Sequence, residues 1–295
     1  MASKRTILIT GCSDGGLGSA LALTFHKSGW RVFASARNLS KLKQATAAGI
    51  ETIELDVNSE ESIAASVLKV QELTGGSLDV LLNNAGAGYS MPLLDLDMDK
   101  TRDLFDLNVF SLITMTRAYF PLLRKSTRKP MLVNNTSVVS ISAGAVPFQG
   151  AYNASKAAAA GLTEAYRGEL APFGIKVVNM MTGIVRSHFF DNAPSVTLPP
   201  NSVYNVAKEV IEKAMSGEEA AVLGTDPFKW AEGVVKDLEK RNPPHWVWQG
   251  QYASLVRVSS LLPIGMMDGF MKSKLGLDVL ERNIQEQGKA NKGSS

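Results

Sequence analysis

The chain has 295 residues, of which 45% are hydrophobic and 20% charged, and its formal net charge is +3. This length suits one large α/β domain, and so small a charge, without a basic cluster interleaved with aromatics, argues against nucleic-acid binding. The single Cys12 excludes an internal disulfide and is typical of a reducing compartment, while the three histidines lack metal-ligand spacing, so we expect no metal. The first strand begins just after Arg5, so we expect no signal peptide and a cytoplasmic protein.

The first predicted elements are a strand, a glycine-rich turn and a helix. Thr6–Thr10 is an apolar, β-branched run, Gly11–Gly18 is rich in glycine, and Ala20–Phe25 has a helical pattern. Glycines permit positive φ and close backbone approach, and a helix N-terminus offers free N–H groups to a pyrophosphate. The pattern predicts a nucleotide-binding turn, with an ordinary tight turn as the alternative.

The second predicted strand, Arg31–Arg37, carries information about the cofactor. A site specific for NAD usually ends this strand with Asp or Glu, which binds the ribose 2′-hydroxyl. Here Ser35 and Ala36 precede Arg37, whose guanidinium suits a 2′-phosphate. NADP(H) is therefore the expected cofactor, although Arg37 is alternatively a surface charge and Asp14 would repel a phosphate.

Polar residues follow the next two predicted strands. Asp56 comes directly after Glu51–Leu55, where it would accept a hydrogen bond from an adenine amino group or else cap the helix that begins near Ser59. Asn83–Gly86 follows the strand Leu78–Leu82 and suits either a backbone that passes close to a ligand or a plain turn.

A long helix is predicted from Leu104 to Leu123, with Asn108 in its interior, where an inward amide would bind water or backbone and distort the helix. The fifth and sixth strands are predicted at Met131–Ser137 and Lys176–Met181, the latter followed by Thr182-Gly183. Strands and helices thus alternate, which predicts a parallel sheet with helices on both faces. Ligands of such sheets bind outside the carboxyl ends of the strands, where the polar residues noted above lie.

Tyr152 and Lys156 are four positions apart and therefore share one helix face. A phenol with an ordinary pKa near ~10 transfers protons poorly at neutral pH, and an ammonium one turn away is expected to lower that pKa. The pair would then serve as a general acid or base for a carbonyl or an alcohol. Alone, the spacing equally describes a solvated helix pair.

Together these motifs resemble the short-chain dehydrogenase/reductase family, from Thr6 to a seventh strand near Trp246–Gly250. The resemblance implies a single Rossmann-type domain with a doubly wound, seven-stranded parallel sheet, a homo-oligomer and NADP(H) as cofactor. It implies a catalytic tetrad of Asn108, Ser137, Tyr152 and Lys156, in which Asn108 would hold a proton-relay water. The implied cofactor contacts are Gly11, Ser13, Gly16, Leu17, Gly18, Arg37, Asp56, Val57, Asn84, Ala85, Gly86, Tyr152, Lys156, Gly183, Val185 and Ser187. Within the family, the sequence is similar to the fungal branch that contains 1-acyl-dihydroxyacetone-phosphate reductase.

Three features depart from the family pattern. The glycine loop has one extra residue, so Gly15 and Gly16 compete for one role. Thr182-Gly183 stands where Pro-Gly is usual. The interval from Ser137 to Tyr152 is about two residues longer than the family pattern leads us to expect. Ser140 is therefore an alternative to Ser137 as the catalytic serine.

The C-terminal third of the sequence allows more than one interpretation. We expect the domain to span residues 1–251, with a loop at 186–205 that covers the substrate or merely connects two elements. Residues 252–287 form a strongly apolar extension, which either packs against the domain or a second subunit, or rests on a lipid surface such as endoplasmic reticulum or lipid droplets. Residues 288–295 are expected to be disordered.

The expected function is NADPH-dependent reduction of a ketone or aldehyde on a fairly hydrophobic small-molecule substrate, with Tyr152 as the proton donor. The same residues would support NADP-linked alcohol oxidation or reduction of a fungal secondary-metabolite intermediate, either a ketone or an imine. A non-catalytic NADP(H)-binding sensor is the alternative of a different class.

Overall fold

Seven strands form one parallel sheet in the order β3-β2-β1-β4-β5-β6-β7. The computed structural model describes residues 4–187 and 197–293. The strands are β1 Thr6–Ile9, β2 Arg31–Ala36, β3 Glu51–Glu54, β4 Val80–Asn83, β5 Met131–Asn135, β6 Lys176–Thr182 and β7 Trp246–Gln249. Each neighbouring pair is parallel, which confirms the expected doubly wound α/β fold.

Helices cover both faces of the sheet because successive strand residues point to opposite sides. The helices are α1 Leu17–Lys27, α2 Lys43–Ala47, α3 Glu60–Thr74, α4 Met98–Phe105, α5 Ser111–Arg124, α6 Gly150–Glu169, α7 Lys208–Met215, α8 Glu218–Leu223, α9 Pro227–Leu238, α10 Ala253–Ser259, α11 Asp268–Lys274 and α12 Leu277–Gly293. In β1, Ile7 and Ile9 face the core formed with α1 and α9, whereas Leu8 faces the core formed with α3 and α5.

The chain reverses direction across the sheet between β1 and β4. After β1 it builds outward to β3, and it then returns to place β4 on the other side of β1. The loops after β1 and β4 therefore diverge and leave a crevice at the carboxyl ends of these strands. This crevice is where the predicted site residues are expected to meet.

The helix predicted at Leu104–Leu123 begins earlier and is interrupted. It starts at Met98 with Asp97 as its N-cap, and a π-helical turn, Asp106–Phe110, separates α4 from α5. The turn widens at Asn108, whose side chain bonds backbone outside the helix. The local distortion expected of an inward amide is thus present.

The fifth strand is shorter than predicted because the backbone turns after Asn135. Val138–Ser140 and Ser142–Gly144 form two short 3-10 helices between β5 and α6. These turns accommodate the long interval before Tyr152.

The last helix, α12, continues to Gly293, so residues 288–293 are helical where disorder was expected. The single Gly288 is flanked by Glu, Gln, Lys and Ala, which are good helix formers and outweigh its low propensity. Nearer its N-terminus, the helix is anchored by Asn283, whose Nδ2 donates to the carbonyl oxygen of Val206. Among the described residues, no helix combines the length and apolarity needed to cross a membrane.

Candidate active site

A cavity of about 670 Å³ lies at the carboxyl ends of the strands. Residues that follow β1, β2, β3, β4, β5 and β6 line one side of it, together with the first turns of α6. The other side is formed by α10, α11 and the residues beside them. The cavity thus occupies the crevice at the point where the strand order reverses, which is the expected place for a nucleotide in this fold.

The glycine-rich turn is shaped by close backbone contacts. Gly11 has φ +70°, and a Cβ there would lie 2.9 Å from the Cα of Ala85. A Cβ at Gly18 would overlap the carbonyl oxygen of Gly11 and lie 2.7 Å from Nδ2 of Asn84. These positions bring the loops after β1 and β4 together, and only glycine fits them.

Gly15 and Gly16 have different roles in the glycine-rich turn. Gly15 has φ +77° and makes the turn, whereas Gly16 is the N-cap of α1 and lines the cavity. Gly16 therefore presents the free N–H groups of the helix start to the cavity.

Asp14 lines the cavity, and its carboxylate is held by backbone N–H groups that partly offset its charge. Its Oδ2 accepts a hydrogen bond from the N–H of Lys43 at 3.0 Å, and its Oδ1 accepts one from the N–H of Gln44 at 3.1 Å. Asp14, in the longer glycine loop, thus caps the start of α2. Arg37 and Lys41 are exposed and line the cavity as well, so two cations accompany the Asp14 carboxylate there.

Asp56 and Val57 line the cavity beyond β3. The helix-cap role considered for Asp56 belongs to Ser59, whose hydroxyl accepts from the N–H of Ser62 at the start of α3. Oδ1 of Asp56 accepts from the N–H of Asn58 at 3.0 Å, which makes a local turn and fixes the carboxylate. Asp56 lines the cavity without capping the helix, and its contact with an adenine amino group stays a prediction.

The loop after β4 is tied to the loop after β1. Thr10 Oγ1 accepts hydrogen bonds from the N–H groups of Asn84 and Ala85, both at 2.9 Å, and Asn84 Nδ2 donates to Thr10 O at 2.8 Å. The next residue, Gly86, lies close to two polar side chains: a Cβ there would be 3.0 Å from Asn108 Oδ1 and 3.4 Å from Lys156 Nζ.

Asn108 is buried behind the cavity and does not line it. Its Oδ1 accepts from the N–H of Ala87, and its Nδ2 donates to Ala87 O and to Ser155 Oγ, each at 3.0 Å. Both amide protons are therefore used, and one lone pair of Oδ1 is left for a water. In this structure Asn108 mainly fixes the loop after β4.

Ser137, Tyr152 and Lys156 meet at the cavity wall. Burial raises the pKa of Tyr152 to about 12, and a hydrogen bond with Ser137 acts in the opposite direction. Burial lowers the pKa of Lys156 to about 8; its Nζ donates to Asn135 O at 3.0 Å and lies 6.0 Å from the centre of the Tyr152 ring. The expected lowering of the Tyr152 pKa is thus wrong for this structure, because loss of hydration outweighs the distant ammonium.

Ser140 does not compete with Ser137 for this position. Its Oγ accepts from the N–H of Ser137 at 3.2 Å, which closes a capping box around the first 3-10 helix. Ser140 lies outside the cavity lining, whereas Ser137 is part of it. The geometry favours Ser137.

Part of the cavity wall comes from the C-terminal segment. Its apolar members are Leu255, Val256, Met267, Phe270, Met271 and Leu275. Tyr252 precedes α10 with φ +65°, a conformation rare for a non-glycine residue, and Lys274 Nζ lies 5.1 Å from the centre of its ring. Part of the extension thus packs over the domain, as one interpretation of the sequence expected.

Fifteen of the sixteen cofactor residues predicted from the sequence line the cavity. They are Gly11, Ser13, Gly16, Leu17, Arg37, Asp56, Val57, Asn84, Ala85, Gly86, Tyr152, Lys156, Gly183, Val185 and Ser187. The exception is Gly18, which lies behind the loop.

Sequence reasoning missed Lys41, Asn135 and the C-terminal wall. Asn135 is a polar residue at the end of an otherwise apolar strand, and that signal was available. Residues 188–196 of the expected substrate loop, with its histidine and two phenylalanines, lie outside the described residues. Within the part of the chain that the structure describes, no group of three or more His, Cys, Asp or Glu could hold a metal.

A cavity at the strand reversal, with a serine, a tyrosine and a lysine in its wall, is the arrangement expected of a nucleotide-dependent oxidoreductase. Comparison with known proteins agrees: the family described as short chain dehydrogenase matches residues 5–196. The chain is 41% identical over 288 residues to a short-chain dehydrogenase/reductase of Pestalotiopsis microspora, covering 97% of this chain and 99% of that protein.

A second relative is the NADPH-dependent 1-acyldihydroxyacetone phosphate reductase of Schizosaccharomyces pombe, 37% identical over 278 residues, or 90% of this chain and 92% of that protein. A solved structure, a short-chain dehydrogenase from Streptomyces avermitilis, is 28% identical with a TM-score of 0.74 and covers 100% of both chains. The chain belongs to the short-chain dehydrogenase/reductase family, which confirms the resemblance noted in the sequence.

Proposed function

We propose that the protein reduces a ketone or aldehyde on a hydrophobic substrate to the alcohol, with NADPH as the reductant. The observation that carries the proposal is the position of Tyr152 and Ser137, which both lie on the cavity wall, where the Ser137 hydroxyl acts on the pKa of the phenol. On one side of them lie the strand ends with their glycine loops, and on the other lies the apolar C-terminal wall. A substrate carbonyl bound between these two sides of the cavity would contact the hydroxyl groups of both Ser137 and Tyr152.

The residues present fit a dinucleotide. The cradle formed at Gly11 and Gly16, whose backbone a side chain would obstruct, suits a pyrophosphate at the start of α1. Arg37 and Lys41 would hold a ribose 2′-phosphate, and Asp56 would hold the adenine amino group. The relative from Schizosaccharomyces pombe is named NADPH-dependent, which supports the same choice.

When bound, the reduced nicotinamide supplies a hydride to the carbonyl carbon. Tyr152 donates its phenolic proton to the carbonyl oxygen, so the products are an alcohol and a tyrosinate that must be reprotonated. Ser137 donates a hydrogen bond to the same oxygen and stabilises the negative charge that develops there. Lys156, charged below a pH of about 8, stabilises the transient tyrosinate and anchors to Asn135.

The protonation state of Tyr152 in the cofactor-free protein is the one with which reduction begins. Reduction requires a protonated phenol, and a pKa of about 12 keeps the proton on Tyr152 throughout the physiological range. Oxidation of an alcohol requires the tyrosinate as a base, which burial disfavours. A cofactor-binding sensor would have no use for a proton donor beside Ser137, so the pair favours an enzyme.

A hydrophobic substrate is the class that the cavity wall suits. Six large apolar side chains face the cavity from the C-terminal segment, and burial of apolar ligand surface against them is favourable. The 1-acyldihydroxyacetone phosphate named for the Schizosaccharomyces pombe relative is a ketone with an acyl chain and belongs to this class.

The test is NADPH oxidation by the purified protein against a panel of hydrophobic ketones that includes 1-acyldihydroxyacetone phosphate. Tyr152→Phe should lower turnover by roughly 10²–10⁴-fold while NADPH binding, followed by fluorescence, persists. Tyr166→Phe, on the same helix but away from the cavity, is the matched control and should keep full activity. Equal turnover in Tyr152→Phe and wild type would overturn the proposed role of the phenol.

We further propose that the protein docks on a lipid surface through a C-terminal apolar surface formed by Leu255, Val258, Leu261, Leu262, Ile264, Met266 and Phe270. All seven are exposed, with Leu261 at 85% and Ile264 at 92%. Arg257 and Lys274 lie in the same segment with one carboxylate, Asp268, whereas Lys272 is paired with Glu281. The two remaining cations suit anionic lipid. The surface continues into the cavity wall through Leu255 and Phe270, so docking would place the cavity mouth at the lipid.

Co-flotation with vesicles tests this docking. The wild type should float with vesicles that contain phosphatidylserine, and the double variant Leu261→Ser, Ile264→Ser should not. If the variant instead changes a dimer to a monomer in size-exclusion chromatography with light scattering, and flotation is absent in both proteins, the surface is an interface between two copies and the lipid proposal fails.

A further inference from the structure

A row of hydrogen-bonded side chains crosses the carboxyl ends of four adjacent strands. Asn84 Nδ2 donates to Thr10 O at 2.8 Å, Asn135 Nδ2 donates to Asn84 Oδ1 at 2.9 Å, and Thr182 Oγ1 donates to Asn135 Oδ1 at 2.6 Å. Thr10 follows β1, Asn84 follows β4, Asn135 ends β5 and Thr182 ends β6. The row therefore connects the glycine-rich turn to the loop that leads toward residues 188–196.

Asn135 is the central member of this row and also holds Lys156. Its side chain uses one amide proton for Asn84 and its oxygen for Thr182, and its main-chain oxygen accepts from Lys156 Nζ at 3.0 Å. One residue thus contacts three groups around the cavity, each on a different element. Asn is an uncommon choice for a buried parallel strand, where apolar, β-branched residues usually pack, so its presence needs a local reason.

We propose that Asn135 is a positioning residue that sets Asn84, Lys156 and Thr182 in the mutual arrangement needed to bind the cofactor, an inference that rests on the proposed function. Asn135 does not act on the substrate. It fixes the lateral spacing of the strand ends, because hydrogen bonds constrain both the distance and the direction between their partners. Thr182 completes the row with its hydroxyl, which a proline at this position would lack.

The same strand supplies a matched control on its other face. Asn134 Nδ2 donates to Thr163 Oγ1 at 3.0 Å, and Asn83 Nδ2 donates to Asn134 Oδ1 at 2.9 Å. Thr163 and Thr182 are both buried and each bonds an asparagine of β5. Only Thr182 lies at the cavity. Replacing either threonine with valine keeps the shape and removes one hydroxyl.

The experiment compares Thr182→Val, Thr182→Ser and Thr163→Val by NADPH affinity, measured by calorimetry, and by melting temperature. Thr182→Val should weaken NADPH binding about tenfold, because it leaves Asn135 Oδ1 without its partner. Thr182→Ser keeps the hydroxyl and should bind as the wild type does. Thr163→Val should lower the melting temperature to a similar degree and leave NADPH affinity unchanged.

Adding Asn135→Leu tests whether the row acts as a unit. Asn135→Leu alone should weaken NADPH binding by more than tenfold, and the double variant with Thr182→Val should be no weaker than Asn135→Leu, since both lose the same bond. Should Asn135→Leu fail to fold, the two Thr182 variants and the Thr163 control decide the question by themselves.

Two results would overturn the proposal. One is wild-type NADPH affinity in Thr182→Val, and the other is an equal loss of affinity in Thr163→Val, which would show that any lost hydrogen bond in β5 suffices. Binding needs no substrate, so this outcome is separate from the fate of the proposed function. A wild type that binds NADPH tightly but reduces no ketone would contradict the reductase proposal and leave the positioning role intact.

Discussion

The two sides of the cavity are built in different ways. On the cofactor side, hydrogen bonds join the strand ends: Thr10 to Asn84, Asn84 to Asn135 and Asn135 to Thr182. On the substrate side, α10 and α11 present mainly apolar side chains, several of which are exposed. Directional bonds fix positions closely, whereas apolar contacts depend on volume and tolerate exchange.

This difference implies that the two sides of the cavity have separate functions. A cofactor of fixed shape needs loops that do not adjust, and a rigid sheet with glycine contacts supplies them. Substrates of varied shape need a wall that can change without disturbing the sheet. Substitutions on the cofactor side should therefore have large effects on binding and turnover, and those on the substrate side should have small effects on substrate affinity alone.

The largest expected effect comes from Lys156→Met. Turnover should fall by roughly 10³-fold, because the methionine cannot stabilise the tyrosinate. In the wild type, kcat/KM for reduction should decline above a pH of about 8 as Lys156 loses its charge, while Tyr152 keeps its proton. A pH–rate profile measures this, and the absence of a decline near that pH would contradict the role given to Lys156.

The same variant should make the cofactor-free protein more stable. The pKa of Lys156 is lowered from 10.5 to about 8, so burial of its charge costs on the order of 3 kcal/mol at neutral pH. Between these two pKa values the unfolded chain holds a proton that the folded chain lacks, so this penalty fades as the pH rises. Lys156→Met should therefore raise the melting temperature at neutral pH, and less so near pH 10, despite the lost bond to Asn135.

A second large effect is expected from Gly18→Ala on the cofactor side. The added methyl group would overlap Gly11 O and force the two loops apart, so NADPH affinity should fall about 100-fold or more. Gly161→Ala in α6 is the control, since a Cβ there meets no atom within 4 Å. The control should keep its affinity and gain about 0.5–1 kcal/mol of stability. Equal affinity in the two variants would contradict the tight fit of the glycine loop.

These residues also show what the sequence could reveal. Each of the seven strands was located to within about two residues, because short apolar runs ended at Gly, Asn or Asp are specific signals. The extra residue of the glycine loop remained ambiguous, since its function, capping α2 through Asp14, depends on a helix that is distant from the loop in sequence. The pKa of Tyr152 was expected to fall and instead rises, because burial is a property of the folded chain.

The C-terminal segment shows more clearly what the sequence cannot predict. Its apolar pattern was evident, but hydrophobicity alone does not state what covers an apolar residue. The structure divides the segment: Met267, Met271 and Leu275 face the cavity, whereas Leu261 and Ile264 face outward. Spacing along the sequence did not separate these groups, because a break at Pro263 interrupts the helical period.

An intermediate effect is expected from Arg37→Ala. If Arg37 holds the 2′-phosphate, NADPH affinity should fall by about 10–30-fold while NADH affinity stays the same, because NADH lacks that phosphate. Fluorescence titration with both cofactors measures the two constants. Lys41→Ala should reproduce the effect on a smaller scale, and a parallel loss of NADH affinity would indicate that Arg37 acts through the loop instead.

The smallest effect is expected on the substrate side, where two methionines of one segment form a matched pair. Met271 lines the cavity and is partly buried, whereas Met266 is 65% exposed and lies outside the lining. Met271→Ala should raise KM for a long-chain ketone about 3–10-fold, because a truncated side chain loses apolar contact with the ligand. NADPH affinity and KM for a short ketone should not change.

Met266→Ala should leave every one of these constants as in the wild type when the assay contains no lipid. With vesicles present, the same variant should lose part of the lipid binding to which its side chain is proposed to contribute. A loss of NADPH affinity in Met271→Ala would contradict the independence of the two sides, because a cavity wall that adjusts by volume alone cannot shift the hydrogen-bonded strand ends. A selective rise in KM would instead locate substrate recognition in α10 and α11, and it would make these helices the place to alter substrate preference without affecting the cofactor.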